Sequence, residues 1–255
     1  MSEMTTVLHV RGQTPDAVEA ALEAIFAGEE RARVLRVQGS YSAALARATA
    51  PELETSYSYV ILRPHTPSEW TPILEVGNRT EGLDVELSRR LGGAPVFTTF
   101  VYGDGLSGYR LARDGAAVDR YASDPTYYTE AAAEDADAAN DQATGAVDEP
   151  AYIERERGHP ERFADLLPEG TSPEDFARMV LRPGWWEEHD AGAATGAHDD
   201  ADEQDEQEEW VDEADRMRCI GLALELWGPS DYPFAQDPEE ISNAVAGPAI
   251  ALAFT

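Results

Sequence analysis

The sequence predicts an α+β protein built on a mostly antiparallel sheet. Three observations lead to this prediction. Residues 5–37 follow a strand–helix–strand pattern, residues 96–121 follow the pattern of a three-stranded meander, and two acidic low-complexity stretches at 130–150 and 187–209 interrupt the apolar pattern. Strands joined by tight turns, combined with amphipathic helices, are typical of an antiparallel sheet with helices packed on it.

The opening unit begins with residues 5–11, where apolar and polar residues alternate as in a half-buried strand. Thr14 suits a helix N-cap and Pro15 suits the first helical position, so a helix is predicted to start there and to end near Gly28. A second strand is predicted at 33–37, which is rich in Val and Leu.

The middle of the chain contains shorter elements. The sequence predicts a short Ala-rich helix at 43–48, a strand at 57–63 and a short strand at 73–76. Leucines spaced four apart at positions 83, 87 and 91 predict a helix with one apolar stripe, closed by two glycines.

The meander is the most clearly patterned segment. Residues 96–102 are β-branched or aromatic, which predicts a strand buried on both faces. A returning strand is predicted at 108–112. The Asp114-Gly115 pair is a strong hairpin turn, and a third strand follows at 117–121.

The predicted organisation has three parts. They are an α+β sheet domain at 1–128, an acidic linker at 129–150, and a mainly helical region at 151–255 that contains the acidic insert 187–209. Both acidic stretches are predicted to be disordered. Within the last part, helices are predicted near 172 and at 212–227, and residues 249–255 are either a strand or a packed tail.

The charge of the chain is large and localised. Fifty acids against nineteen basic residues give a net charge of −31, and every basic residue is an arginine. Residues 130–150 carry seven acids and residues 187–215 carry fourteen, without any arginine in either stretch. This distribution favours acidic inserts in a moderately acidic fold over acid spread evenly across the surface.

Composition also excludes several classes. The chain lacks the cationic surface that nucleic-acid phosphates require, so direct nucleic-acid binding is not expected. No stretch of 18 apolar residues predicts a membrane span, and the first residues do not resemble a signal peptide. Cys219 is the single cysteine, so an internal disulfide is excluded. A cytoplasmic location is therefore expected.

A search for catalytic motifs gives no catalytic residue, metal site or cofactor. The five histidines lack metal-ligand spacing. His9 is expected to be a surface or half-buried strand residue, and Cys219 a buried apolar one. Ser107 lies in Gly105-Leu106-Ser107-Gly108, but the flanking pattern is a hairpin rather than the strand-to-helix turn of a nucleophile elbow.

Candidate ligand-binding residues are Asp104, Arg110, Asp119 and Tyr121, because they lie along the predicted meander where a site on the sheet face could assemble. The simpler interpretation, which is preferred, is that Asp119 pairs with Arg110 across the hairpin.

Candidate partner-binding residues are Trp185, Trp186 and Trp210, which border the second acidic stretch. The simpler interpretation is that they anchor its ends to the core. The functional one is that they form an exposed aromatic recognition patch.

Three functions remain open. The favoured hypothesis is a non-enzymatic interaction or regulatory protein whose acidic stretches attract a basic protein partner. The second is a small-molecule-binding protein or enzyme with a site on the sheet face. The third is a housekeeping protein adapted to high salt, whose acidity says nothing about partners and whose melting temperature should rise steeply with molar KCl.

Overall fold

The computed structural model describes residues 5–64, 68–78, 80–101, 107–123, 151, 154–180 and 248–255. These residues contain eight strands and four α-helices. The strands are β1 Thr5–Arg11, β2 Arg33–Gly39, β3 Tyr57–Ile61, β4 Trp70–Glu75, β5 Val96–Val101, β6 Ser107–Arg113, β7 Ala116–Ala122 and β8 Ala249–Phe254. The helices are α1 Pro15–Gly28, α2 Tyr41–Ala48, α3 Leu83–Arg90 and α4 Pro173–Val180. Single turns of 3-10 helix lie at Pro51–Leu53 and Pro160–Phe163.

The eight strands form one sheet in the order β2-β8-β3-β4-β1-β5-β6-β7, and every pairing is antiparallel. The α+β prediction is therefore confirmed, and so is the β5-β6-β7 meander. The last segment is a strand rather than a packed tail, and it lies inside the sheet between β2 and β3. This order leaves β2 and β7 as the two edges.

One side of the sheet, the α1 face, is covered by α1 and α3. Thr14 caps α1 as predicted, because its Oγ1 accepts a hydrogen bond from the Ala17 backbone N–H at 3.2 Å. The apolar residues along one side of α1 pack against the sheet. The buried cluster on this face is Leu8, Val10, Val18, Ala21, Leu22, Ile25, Phe26, Tyr59, Ile61, Ile73, Leu83, Leu87, Val96, Ala112, Ile250, Leu252 and Phe254.

The opposite side, the α2 face, is covered by α2 near β2, β8 and β3, and by residues 156–176 near β5, β6 and β7. The strand registers align one row of side chains across all eight strands on this face. That row is Val37, Ala251, Val60, Leu74, Val7, Thr99, Tyr109 and Tyr121. With both faces covered, β5 is buried on both sides, as the sequence predicted.

Residues 156–176 are held on the α2 face by aromatic packing. The Phe163 ring meets the rings of Phe97 and Tyr109 edge-on, with centroids 5.6 and 5.3 Å away. Phe176 on α4 lies 4.7 Å from Phe163 between ring centroids. Thus part of the predicted C-terminal region packs on the sheet and another part, β8, is one of its strands. The predicted domain boundaries themselves stay a prediction.

The expectation for His9 is wrong. Leu8 and Val10 do face the α1 side, but the side that His9 faces is covered as well, so the imidazole is fully buried between Pro72 of β4 and Phe97 of β5. Burial lowers the pKa of His9 to about 3, and a hydrogen bond to the backbone of Phe97 opposes this only in part.

Several predictions concern residues outside the described ones. They are Asp104, the tryptophans at 185, 186 and 210, Cys219, the helix at 212–227 and the two acidic stretches at 130–150 and 187–209.

Candidate functional site

The most densely bonded polar group in the described residues is the carboxylate of Asp119, on edge strand β7. Its side chain is fully buried. The Oδ2 atom accepts hydrogen bonds from the Tyr109 hydroxyl and from the backbone N–H of His159, both at 3.0 Å. The Oδ1 atom lies 3.0 Å from His159 Nδ1 and 3.6 Å from Arg162 Nη1. A buried carboxylate is stable only with partners of this kind, so the site is built around it.

Local backbone pairing places His159 over Asp119. The Ala122 N–H donates to the Glu156 carbonyl at 3.0 Å, and Tyr121 forms an isolated antiparallel bridge with Arg157. Gly158 then adopts a φ of +77°, a conformation that glycine takes without strain. The chain turns there and enters the 3-10 turn that begins at Pro160. The backbone N–H of His159 therefore faces the sheet and donates to the Asp119 carboxylate.

The surroundings determine which groups donate to Asp119. Burial, together with the charge of Asp119, raises the pKa of Tyr109 well above its usual value, so its hydroxyl remains a donor. In the tautomer with its hydrogen on Nδ1, the His159 ring donates to the Oδ1 of Asp119 at 3.0 Å. In the neutral ring this leaves the lone pair on Nε2, and the imidazole side chain is 28% exposed.

This arrangement has a recognised chemical capacity. A partly exposed imidazole whose Nδ1 is held by a buried carboxylate keeps its Nε2 lone pair as an acceptor, the arrangement used in general acid–base catalysis. The same contacts also have a structural role, because they hold residues 156–163 on β7. Among the described residues, no group of three or more His, Cys, Asp or Glu side chains could hold a metal ion.

The structure corrects the predicted pairing of Arg110 with Asp119. The two-residue turn sets Arg113 opposite Ala116 and Ala112 opposite Ala117, and an unbroken ladder would then place Arg110 opposite Asp119. A bulge after Leu111 shifts the register by one residue.

Because of this shift, Asp119 lies opposite Leu111, and Arg110 lies opposite Arg120. The two predicted partners therefore point to opposite faces of the sheet. Arg110 instead approaches the buried carboxylate of Asp84 on α3, with 3.8 Å between Nε and Oδ2.

Of the four candidate ligand-binding residues, the structure brings together two. Asp119 and Tyr121 both lie on the α2 face and are buried, with Tyr121 stacked on Tyr109 at 5.5 Å between centroids. Arg110 lies on the other face, and Asp104 is outside the described residues. Their role in ligand binding stays a prediction.

Sequence reasoning missed His159, Tyr109 and Arg162. His159 is 40 residues from Asp119, across an acidic stretch, so no local spacing connects them. The one signal in the sequence that pointed toward the site is an acid, Asp119, in the middle of a predicted strand.

The arginines of the described residues are largely neutralised within the fold. Twelve of them lie within 4.0 Å of a carboxylate: Arg11, Arg31, Arg33, Arg36, Arg89, Arg90, Arg110, Arg113, Arg120, Arg155, Arg157 and Arg162. One such contact, from Arg113 at 3.0 Å, lowers the pKa of Asp165.

Asp165 also fastens residues 156–176 to β1. The Arg11 Nη1 donates to its backbone carbonyl at 2.9 Å. The covering segment is thus bound to β7 through Asp119, to β6 through Arg113 and to β1 through Arg11.

No protein-family model, curated protein or solved structure matches this chain. None of the helices in the described part of the chain is long and apolar enough to cross a membrane.

Proposed function

We propose that this chain is a non-enzymatic protein-interaction module that recruits a basic protein partner through its acidic segments, 130–150 and 187–209. The observation that carries the proposal is the partition of charge. Arginines of the sheet and its covering segments are used in internal ion pairs, whereas residues 130–150 and 187–215 together hold 21 acids and no arginine.

This partition has a consequence for association. Segments that contain many acids and no arginine in their own sequence carry a high net negative charge, which raises the rate of encounter with a cationic surface. Such steering acts through charge alone and therefore needs no preformed pocket. The sheet supplies the scaffold from which both segments extend along the sequence.

The burial of the candidate residues on the α2 face supports the same conclusion. Tyr121 is inaccessible and Asp119 is 3% exposed, because residues 156–163 lie over them. A small molecule could reach these groups only by displacing that segment. An interaction carried by the acidic segments requires no such rearrangement.

The test compares two charge-matched variants of the full chain. In the first, Asp199, Asp200, Asp202, Glu203 and Asp205 are changed to their amides. In the second, the same change is made at five exposed acids of the described residues. These control residues are Glu30, Glu52, Glu54, Glu81 and Glu169.

Binding of an oligo-arginine peptide is then measured by fluorescence anisotropy at two salt concentrations. We expect the first variant to lose several-fold more affinity than the second and to show the smaller salt dependence. Equal losses in the two variants would show that only the net charge matters, and the proposal would fail.

A second candidate function is supported by the His159–Asp119 pair. Its partly exposed imidazole would act as a general base or as a hydrogen-bond acceptor for a small ligand. A thermal-shift screen with small metabolites, repeated with His159→Gln, tests it. A stabilising compound whose effect disappears in the variant would support this function, and effects that persist unchanged would count against it.

A further inference from the structure

Edge strand β2 has an unpaired outer side within the described residues. It pairs with β8 and with no other described strand, and positions 33, 34, 36 and 38 are exposed. Val34 is the single large apolar residue that is exposed in the described part of the chain, at 49%.

The direction of the backbone groups of β2 follows from the ladder. Ala32 and Thr255 exchange both N–H···O bonds, at 3.1 and 3.0 Å, so they form a hydrogen-bonded pair. In an antiparallel ladder such pairs alternate with pairs that do not bond each other.

After the bulge at Val34, the bonded pairs are therefore those of Leu35, Val37 and Gly39 with β8. The hydrogen bonds between β8 and its other neighbour, β3, follow the same alternation. The Val76 N–H donates to the Ser58 carbonyl, and the Leu62 N–H donates to the Pro72 carbonyl. The backbone groups of Ser58 and Leu62 therefore point toward β4, and those of the residues that alternate with them along β3 point toward β8. It follows that the N–H and C=O groups of Arg36 and Gln38 point away from the sheet.

The charge around this edge is unusual for the chain. Residues 31–51 contain four arginines and no acid, although the whole protein carries −31. Three of these arginines, Arg31, Arg33 and Arg36, are already paired with Glu29, Glu23 and Glu19. Because residues 31–51 contain no acid, two copies that pair through β2 do not place carboxylates of this stretch opposite each other.

We propose that two copies of this chain associate through β2 and form a continuous antiparallel sheet across a twofold axis. The pairing is centred on Val37, which lies opposite the partner's Val37. Arg36 then exchanges backbone hydrogen bonds with the partner's Gln38, and Gln38 with the partner's Arg36. This register places apolar against apolar on the α2 face and avoids two arginines opposite each other.

The overall charge opposes this association, and salt relieves it. At about 1 M salt, charges more than about 3 Å apart are largely screened, so the fraction of dimer should rise with salt. The proposal is independent of the proposed function, because it involves β2 and not the acidic segments.

Sedimentation equilibrium of the full chain, over a range of concentrations and at low and high salt, tests the proposal. We expect the fraction of dimer to increase with protein concentration and with salt concentration. Gln38→Glu, which puts a carboxylate opposite the partner's Arg36, should tighten the dimer, and Gln38→Arg should weaken it. Because each dimer contains two such pairs, each substitution should change the dissociation constant of the dimer about fivefold. A monomer under all conditions, or equal effects of the two variants, would overturn the proposal.

Gln38→Pro tests the backbone contribution. Proline removes the outward N–H and leaves the ladder to β8 intact, so this variant should be monomeric. Gln38→Ala keeps the N–H and serves as the control. Circular dichroism checks folding. If the proline variant is unfolded, the two charge variants, which alter only an exposed side chain, decide the question.

Discussion

The two edges of the sheet are completed in different ways. On β7, the outward N–H of Ala122 bonds the Glu156 carbonyl, and the outward carbonyl of Val118 accepts from Arg162. On β2, the outward groups of Arg36 and Gln38 bond no described residue, so this edge stays open to the pairing proposed above. Covering an edge with another segment of the chain is a known way of preventing such pairing.

This difference shows where a buried charge is useful. The segment that covers β7 comes from residues about 40 positions away along the chain, and Asp119 fixes its position through two contacts with His159 and one with Arg162. The β2 edge lacks a cover among the described residues and carries no buried acid. A buried carboxylate here fixes which segment binds the edge rather than simply adding stability.

The largest effect on stability is expected from Phe163→Ala, which removes the aromatic ring that holds residues 156–176 on the sheet. The ring is fully buried, so its loss should lower the free energy of unfolding by about 4 kcal/mol. Urea denaturation measures this. Val34→Ala on the other edge is the control, and it should change stability by less than about 0.5 kcal/mol because that side chain is half exposed.

The next largest effect is expected from Asp119→Ala. This change removes the acceptor of the buried Tyr109 hydroxyl and of the partly buried His159 N–H, at a cost of about 3 kcal/mol. Limited proteolysis should also cut residues 154–176 faster. Asp165→Asn, on the cover but 65% exposed, should cost less than about 1 kcal/mol. Equal losses in the two variants would contradict the special role of Asp119.

The centre of the sheet should respond to acid independently of either edge. His9 has a folded-state pKa of about 3, whereas an unfolded histidine titrates near 6.5. Below pH 6.5 the unfolded state binds a proton that the folded state does not, so stability present above that pH is lost as the pH falls toward 3.

Between pH 7 and pH 5 this loss is about 2 kcal/mol. It is measured as the difference in pH dependence between the natural chain and His9→Gln, because relief of acidic repulsion affects both proteins. Parallel stability curves for the two proteins would show that His9 is not buried in its neutral form.

The smallest effect on folding is expected from Gln38→Pro, at less than about 1 kcal/mol, because its N–H does not bond β8. Val37→Pro, one residue away, removes a ladder bond and should cost about 3 kcal/mol or more. Thermal unfolding of the two variants compares them. If both are equally destabilised, the inferred phase of the β2 ladder is wrong.

Local patterns were sufficient for much of the fold. The Thr14 cap, the Asp114-Gly115 turn and the alternation of the meander are encoded within a few residues, and each is found in the structure. The register of the β6–β7 hairpin was not predictable in the same way, because the turn residues alone imply an unbroken ladder and carry no sign of the bulge after Leu111.

Long-range pairing explains the remaining differences. The position of β8 between β2 and β3 depends on contacts across most of the chain, which no window of sequence contains. The burial of His9 follows from coverage of both faces, and the His159–Asp119 contact follows from a return of the chain after an acidic stretch. In each case the deciding neighbour is remote in sequence.

The place of β8 also bears on how the protein is made. During synthesis, β2 and β3 emerge early, but the strand that joins them is translated about two hundred residues later, and such distant pairings form slowly. Until then β2 is a nascent strand with neither edge satisfied, and such strands are prone to aggregate. Ribosomes that stall before residue 249 should therefore release chains that depend on chaperones, whereas full-length chains should escape them.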